Sequence, residues 1–468
     1  MSVSDPDIAR ASAGLPGRLV ASLAFGTVLQ ALNSTMIAVA LVDIRKDFHA
    51  GQSASWLVTA LYLTTAVAAP VMGRVADSFG AKKVCLSGLC FVIMSSTAAP
   101  FMPNIGALIA CRVFLGIGTA AQYPCAVAVI RRVTEERQAR PQSALGILAT
   151  CSQVIGALGP TVGGIMVDLF HWPGIFLVNS PLALIAGSAV LTSVPTDPEP
   201  DTHGATDRGR FATARFDVAG LLLFATALTF LLLFLFSLAQ TPQFWWLGIA
   251  LLCALALVFQ ELQSAAPFLE FSLLRNWSLT ATYLRTIVTY TAFYCVFYGL
   301  PQWLEEARDF RPSQVGLVLV PITAMGIVTT AVATYLENRR GPRITLIIGT
   351  AAMAIGGLLL AMSNRASPLW LLLGTCAVLG LPDGFNNIGN QMSMYSAAPT
   401  SQVGGASGLY RTCQSLGAIF ATVFLAFLMR GPSTDEALHR VGFLVCGLSI
   451  LLLVAALLKG RPAESRSL

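Results

Sequence analysis

One acid and three arginines lie inside long apolar stretches of this chain, where an ionisable side chain is costly unless it faces protein or water. The acid, Asp383, belongs to the segment GLPDGFNNIGNQ, together with Asn386 and Asn387. A carboxyl group in such a place can bind and release a proton, and amides can hydrogen-bond a small molecule. The arginines are Arg112, Arg285 and Arg411.

Fourteen apolar segments carry these residues, and most of them reach the roughly 20 residues that a helix needs to cross a bilayer. A soluble domain cannot bury so much apolar length, so the pattern predicts an all-α membrane protein with fourteen transmembrane helices. The segments span 17–42, 53–74, 83–101, 105–130, 142–167, 173–194, 217–238, 243–262, 278–303, 313–336, 344–363, 367–391, 404–429 and 437–458.

Composition and charge agree with this interpretation. Hydrophobic residues make up 55% of the chain and charged residues 11%, against about 25% charged residues in an ordinary soluble domain. The short loops leave no room for a separate catalytic domain, and we expect no enzymatic activity. The net charge of +6 is explained by the preference of Lys and Arg for cytoplasmic loops, without a nucleic-acid partner. Placing the N-terminus inside puts most Lys and Arg residues in cytoplasmic segments, which predicts two cytoplasmic termini in the inner membrane.

The hydrophilic stretches divide the chain into six spans, two inserted spans and six more. The predicted boundaries are a six-helix bundle at 1–194, a cytoplasmic linker at 195–216, two inserted helices at 217–262, a second linker at 263–277 and a second bundle at 278–468. The turn GRVADSFGAKK in the first half has a counterpart, YLENRRGPR, at the same place in the second half. Internal repeats of this kind are typical of secondary transporters.

Asp383 is the first candidate for proton coupling. Gly380 and Pro382 beside it predict a loosened or broken helix, a feature that often marks substrate sites in transporters. The predicted helix ends place Asp383 at about the depth of Arg285 and Arg411, so an ion pair with either arginine is possible. The alternatives are a kinked helix with a permanent ion pair, and arginines whose long side chains reach the headgroups.

Three further polar faces are candidate binding surfaces. Gln30 and Asn33 share one face of the first span, and Tyr123 follows Arg112 on one face of the fourth. Tyr290, Tyr294 and Tyr298 form an i, i+4, i+8 stripe that could stack on a substrate. The alternative for the first two faces is hydrogen bonding that joins the helices, and for the tyrosines it is packing.

Several segments resemble motifs of the major facilitator superfamily, and within it those of the fourteen-span drug:proton antiporter group. CRVFLGIGTAA around Arg112 is similar to the fourth-span motif, and FLVNSP and LPQWLEEARDF look like two further signatures of the group. The turn after span two and the segment GPTVGG resemble a signature loop and the antiporter motif of span five. The resemblance implies a conformational switch at Gly73, Asp77, Gly80, Lys82, Gly159 and Pro160.

One departure from the group concerns the first span, which reads LNSTMIAVAL with Asn33 where the group usually has an acid. Asn cannot carry a proton or a negative charge, so a coupling role for that acid does not apply here. Three intramembrane arginines then stand against one aspartate, which favours a neutral, zwitterionic or anionic substrate over a multiply charged cation.

Together these features predict the major facilitator fold and a proton-coupled exporter of a small amphiphilic molecule that works by alternating access. The expected partners are the substrate, protons and the bilayer; the expected energy source is the proton gradient, with no cofactor and no metal. No G-x-x-x-x-G-K-[ST] signature for ATP is found in the sequence. We expect a monomer. Proton-coupled uptake, facilitated diffusion and a membrane sensor that binds a ligand without moving it are the alternatives.

Overall fold

The computed structural model describes residues 15–137, 142–197, 217–238, 241–263, 275–398, 403–430 and 434–458. Within them the chain is helical, with two 3₁₀ helices at Gly51–Ser55 and Ala99–Phe101. The α-helices of the first part are α1 (Gly17–Asp47), α2 (Trp56–Phe79), α3 (Ala81–Ala98), α4 (Ile105–Ala120), α5 (Gln122–Arg137), α6 (Gln142–Phe170), α7 (Gly174–Leu177), α8 (Asn179–Ser193), α9 (Val218–Ser237) and α10 (Phe244–Gln263). Those of the second part are α11 (Trp277–Arg308), α12 (Pro312–Arg340), α13 (Pro342–Met362), α14 (Leu369–Ala397), α15 (Val403–Leu428) and α16 (Asp435–Leu458).

Ten of the described helical segments are long and apolar enough to cross a membrane. They correspond to predicted spans one, three, four, six, eight and ten to fourteen. Spans two, five and seven appear as shorter apolar helices. The ninth, α11, is 32 residues long but carries Arg285, Glu305 and Glu306, and it is not among the ten. The chain is therefore a multi-pass membrane protein, whereas the count of fourteen spans stays a prediction.

The chain divides into two compact units, residues 1–270 and 271–468, and the same helix pairings recur in each. In the first unit α1 packs on α6 and α8, α2 on α4, and α3 on α4 and α8. In the second unit α11 packs on α15 and α16, α12 on α14, and α13 on α14 and α16. These are equivalent pairs when spans are numbered within each half, so the repeat suggested by the two similar turns extends to the packing. The inserted helices α9 and α10 pack on each other within the first unit.

Glycine residues let neighbouring helices touch backbone to backbone. A Cβ atom at Gly163 of α6 would lie 3.0 Å from the Met36 Cα of α1, and Gly159 is packed against the Thr35 side chain of the same helix. The segment GPTVGG therefore permits close contact between α6 and α1. Membrane helices associate largely through such van der Waals contact, because lipid offers no hydrophobic driving force between them.

The helix that carries Asp383 is continuous, and the prediction of a broken helix is wrong. α14 runs without interruption from Leu369 to Ala397 with Pro382 inside it. Gly380 and Gly384 instead allow α12 to approach closely. A Cβ atom at Gly380 would overlap the α12 backbone at Ile322, and one at Gly384 would overlap it at Thr329 and Thr330. The glycines thus hold α14 against α12 rather than opening the helix.

We expect Gly384→Ala to destabilise the protein, because its Cβ atom has no room unless α12 moves. Overpacking of this kind typically costs about 1–3 kcal/mol in free energy of unfolding. The matched control is Gly374→Ala in the same helix, where a Cβ atom meets nothing within 4 Å. Thermal unfolding of the purified protein should give a lower Tm for Gly384→Ala only. Equal Tm values for both variants would contradict the proposed contact.

Candidate functional site

One face of α14 carries a row of polar residues. Asp383, Asn386, Asn387 and Asn390 stand at i, i+3, i+4 and i+7, so their side chains leave the helix on one side. A small cleft opens along part of this face, between α11, α13 and α14. Its lining residues are Thr289, Tyr290, Phe293, Met353, Pro382, Asp383, Asn386 and Asn387. The structure thus brings four predicted site residues, Asp383, Asn386, Asn387 and Tyr290, to one cleft.

Asp383 is half-buried on the wall of this cleft. Its Oδ2 atom lies so close to α12 that a Cβ atom at Gly326 would be 2.6 Å away. Among the described residues, no donor hydrogen-bonds the carboxylate and no Lys, Arg or His lies within 4.0 Å of it. The group is therefore a carboxyl held between helices without a charge partner.

Hydrogen bonds link Asn387 to two other helices of the second unit. Gln414 Nε2 of α15 donates to the Tyr290 hydroxyl at 2.7 Å, and that hydroxyl donates to Asn387 Oδ1 at 3.3 Å. The Tyr410 hydroxyl lies 3.5 Å from the Asn387 carbonyl oxygen. Thr350 of α13 donates to Asn386 Oδ1 at 3.3 Å. The two amides are thus oriented by neighbours on three helices, which is what a specific binding surface requires.

Arg285 contacts Asn390 rather than Asp383. Its Nε atom donates to Asn390 Oδ1 at 2.5 Å. The estimate that Arg285 and Asp383 share one depth is wrong, because α14 continues to Ala397 and not to 391. Arg285 lies level with Asn390, which is seven residues, or about 10 Å, along α14 from Asp383. Arg411 of α15 has an exposed side chain, and no ion pair joins it to Asp383 in the described part of the chain.

The tyrosine stripe of α11 is present, but its members differ in environment. Tyr294 and Tyr298 stack with ring centroids 5.5 Å apart, and Tyr290 and Tyr294 are tilted at 6.1 Å. Tyr298 is buried, whereas Tyr290 and Tyr294 are half-buried. Packing therefore accounts for Tyr298, and the cleft-lining Tyr290 is the best candidate of the three for ligand contact.

A second polar centre lies inside the first unit, around Arg112 of α4. Only 1% of this residue is exposed. Its Nε atom donates to the Leu57 carbonyl of α2 at 3.1 Å and its Nη2 atom to the Asn33 carbonyl of α1 at 3.4 Å, while the guanidinium lies 5.7 Å from the centre of the Phe176 ring. Arg112 thus joins three helices through its hydrogen bonds and adds a cation–π contact.

Asn33 forms a reciprocal amide pair with Asn179 of α8. Each side chain donates to the oxygen of the other, at 2.8 and 2.9 Å, and Asn33 Nδ2 also donates to the Leu29 carbonyl. Asn33 is 1% exposed, so in this structure it contacts protein rather than lining a cleft. Gln30 and Tyr123, the other candidates in this unit, are half-buried, and Ser34 bonds back to the Gln30 carbonyl oxygen.

The turn between α2 and α3 is fastened to the end of α8. Gly80 adopts φ +101°, a conformation that favours glycine. Asp197 accepts hydrogen bonds from the backbone N–H groups of Lys82 and Lys83, both at 3.1 Å, and pairs with Arg132 of α5 at 3.2 Å. Lys82 Nζ donates to the carbonyls of Leu191 and Val194.

This arrangement partly corrects the predicted linker. Residues 195–197 are docked on the first unit, whereas 198–216 and, in the second linker, 264–274 lie outside the described residues. Gly73 is half-buried in α2. The side chain of Asp77 also lies outside what the structure describes, so its predicted role in switching stays a prediction.

Sequence reasoning overlooked Asn179, Asp197 and Gln414 as functional candidates. Asn179 stands within FLVNSP, a segment whose resemblance to a family signature was the available signal. Asp197 and Gln414 gave no such signal, because the contacts of Asp197 with Lys82 and of Gln414 with Tyr290 join residues more than 100 positions apart. Gly159 and Pro160 are both buried in α6, with Gly159 against α1.

Known proteins are similar to this chain in sequence and in fold. Over 450 residues the chain is 34% identical to the uncharacterized MFS-type transporter YwoD of Bacillus subtilis, with 94% of this chain and 97% of that protein covered. It is 26% identical to the tetracenomycin C resistance and export protein of Streptomyces glaucescens, with 90% and 77% covered. The crystal structure of the nucleoside transporter NupG matches with a TM-score of 0.65 at 13% identity, covering 94% of this chain and 98% of that one.

The family profile of the Major Facilitator Superfamily matches residues 23–288 and 282–468, which is nearly the whole chain. This match covers both units, with their repeated helix pairings and their polar centres. The chain belongs to the Major Facilitator Superfamily of transporters.

Proposed function

We propose that this transporter exports a small amphiphilic molecule in exchange for protons by alternating access. The observation that carries the proposal is Asp383, a half-buried carboxyl on the wall of the cleft with no charge partner among the described residues. A lone carboxylate between helices is costly, and binding a proton removes that cost. The occupancy of the cleft and the protonation of Asp383 can therefore influence each other, which is the basis of coupling.

Direction and substrate class rest on other observations. The name of the Streptomyces glaucescens relative describes resistance and export, and we extend export to this chain. Away from the ends of the predicted spans, Arg112, Arg285 and Arg411 outnumber the one acid, Asp383. We therefore propose a neutral, zwitterionic or anionic substrate.

The setting that goes with this function is the inner membrane, with both termini cytoplasmic. The excess of Lys and Arg in the loops assigned to the cytoplasm supports that orientation. The protein would act as a monomer, with protons and the bilayer as partners and without a cofactor, a metal or nucleic acid. Its energy would come from the proton gradient and not from ATP.

Facilitated diffusion or uptake is the second candidate, and the Asn33–Asn179 pair favours it. No carboxyl group occupies that position of the first span, so coupling would depend on the second unit. Inside-out vesicles with an imposed proton gradient separate the candidates. Accumulation of the substrate against its gradient, dependent on an acidic interior, supports proton-coupled export; equilibration without accumulation supports facilitated diffusion.

Asp383→Asn should abolish proton-driven accumulation in such vesicles, because Asn cannot bind a proton, while the chain still reaches the membrane. Exchange of substrate across the membrane without a gradient should persist. The matched control is Asp309→Asn, which removes one charge at an exposed position with φ 54°, a conformation that Asn tolerates. Accumulation by Asp383→Asn at the rate of the unmodified protein would show that the proton binds elsewhere.

Asn33→Asp should lower stability and improve the efflux of a monovalent cationic dye. A carboxylate has no N–H group, so the bonds to the Leu29 carbonyl and to Asn179 Oδ1 are lost, at about 1–3 kcal/mol for each unsatisfied group. The new negative charge offsets Arg112 and makes a cation less costly in this unit. Asn104→Asp is the control, since this exposed N-cap residue of α4 keeps its cap as Asp. Unchanged Tm and unchanged dye efflux would refute both parts.

Asp197→Asn should reduce the maximal transport rate by several-fold, with little change in substrate affinity, because Asp197 ties α8 to the start of α3 and does not line the cleft. Glu136→Gln serves as the control. Glu136 lies 4.0 Å from the same Arg132, but its side chain is 60% exposed, and exposed pairs contribute little. A loss of affinity at an unchanged maximal rate would place Asp197 in substrate binding instead.

A further inference from the structure

Several buried hydrogen-bond donors near the cleft lack an acceptor. Three buried donor atoms on α11 and α14 have no accepting partner: Arg285 Nη2, Asn390 Nδ2 and Asn386 Nδ2. Asn390 is 0% exposed and Asn386 is 1% exposed. Buried polar atoms are nearly always paired, so three unpaired donors in one region need an explanation.

The orientation of the Asn390 amide follows from its partner. A guanidinium can only donate, so the atom that Arg285 Nε contacts must be the oxygen of Asn390. The amide nitrogen of Asn390 therefore points away with its two protons unused. Arg285 Nη2 likewise has protons without an acceptor. The pair offers donors from both members and a positive charge that only a neutral amide offsets.

The guanidinium of Arg285 is half-buried and, within the part of the chain that the structure describes, is hydrogen-bonded only to the side-chain amide of Asn390. A buried guanidinium usually has a carboxylate as its partner. No Asp or Glu among the described residues lies within 4.0 Å of Arg285. Arginine is well suited to oxyanions, because its N–H groups can form two parallel bonds to a carboxylate.

The cleft begins one helical turn away. Arg285 precedes Thr289 by four residues on α11, and Asn390 follows Asn386 by four residues on α14, a rise of about 6 Å. Asn386 both lines the cleft and carries an unpaired donor, so it links the cleft to the pair. Phe293 and Met353 supply apolar walls for the body of a ligand.

We infer that the Arg285–Asn390 pair binds an oxyanion of the substrate, most simply a carboxylate, while the cleft holds the apolar body. This inference rests on the proposed function and narrows its substrate class from neutral, zwitterionic or anionic to amphiphiles with one anionic group. Asn390 acts as a positioning residue, because it fixes the Nε end of the guanidinium and leaves Nη2 for the ligand.

The test measures binding rather than transport. Three probes are used, namely anthracene with a carboxylate, a hydroxymethyl or an aminomethyl group at the same ring position. Fluorescence anisotropy is recorded at neutral pH with the full chain in lipid nanodiscs, and the signal of empty nanodiscs is subtracted. The unmodified protein should bind the carboxylate about tenfold more tightly than the alcohol, because a hydrogen bond to a charged group is stronger than one to a neutral group; tenfold corresponds to about 1.4 kcal/mol.

Two variants locate the preference. Arg285→Gln should remove it by weakening carboxylate binding alone, and Asn390→Asp should remove it by giving Arg285 a permanent internal carboxylate. The second variant adds an ion pair, so it remains informative if the first does not fold. The control is Arg339→Gln, which removes the same charge from an exposed site at the end of α12 and should keep the preference.

Equal affinities for the three probes, no binding of the carboxylate, or a preference that survives Asn390→Asp would overturn the inference. A parallel assay in inside-out vesicles measures proton-driven accumulation of each of the three probes. Accumulation without any carboxylate preference refutes the oxyanion site and leaves the proposed function standing. A carboxylate preference without accumulation of any probe supports the site and counts against proton-coupled export.

Discussion

Close helix contact at glycine is the constraint on which the packing of both units depends. Gly159 and Gly163 bring α6 onto α1, and Gly380 and Gly384 bring α14 onto α12. Helices this close exclude lipid and leave little room for large side chains, so the polar groups they carry must find partners within the unit or remain without them. Arg112 has partners within its unit, whereas Asp383 has no hydrogen-bond donor among the described residues. The difference depends on which groups the neighbouring helix places next to each residue.

The two residues occupy equivalent spans of the repeat. Arg112 stands on α4 and Asp383 on α14, and each of these helices packs on the second and third spans of its own half. Arg112 donates to carbonyl groups of two neighbours, so its charge is held in one place. Asp383 faces Gly326, which has no side chain to donate a bond. The hydrogen bonds of Arg112 need its charged form, so this residue is suited to holding the helices in place. Within the described ranges, the carboxyl group of Asp383 accepts no hydrogen bond that favours its charged form, so this residue is suited to changing its charge.

Hydropathy and polar spacing predicted the membrane class, the repeat and four residues of the cleft, because those features are local in sequence. Asp383, Asn386 and Asn387 share a helix face by periodicity alone. The depth of Asp383 was wrong, since the polar residues that follow 391 ended the predicted span while the helix continues to Ala397. The Asn33–Asn179 pair and the attachment of Asp197 to the α3 end could not be predicted, because such contacts depend on how distant helices meet.

The separation of Arg285 from Asp383 also has a consequence for the energy of transport. Exchanging one entering proton for one departing monoanion moves two elementary charges in the same electrical direction. Moving one charge through about 100 mV changes the free energy by about 2.3 kcal/mol. An interior-negative potential of about 100 mV therefore contributes about 4.6 kcal/mol to each cycle of this exchange. A monovalent cation exchanged for one proton moves no net charge and gains nothing from the potential. In the proposed exchange, an anion bound at Arg285 would lie about two helical turns from Asp383, so the acid would stay free to take up its proton and both driving forces would be available.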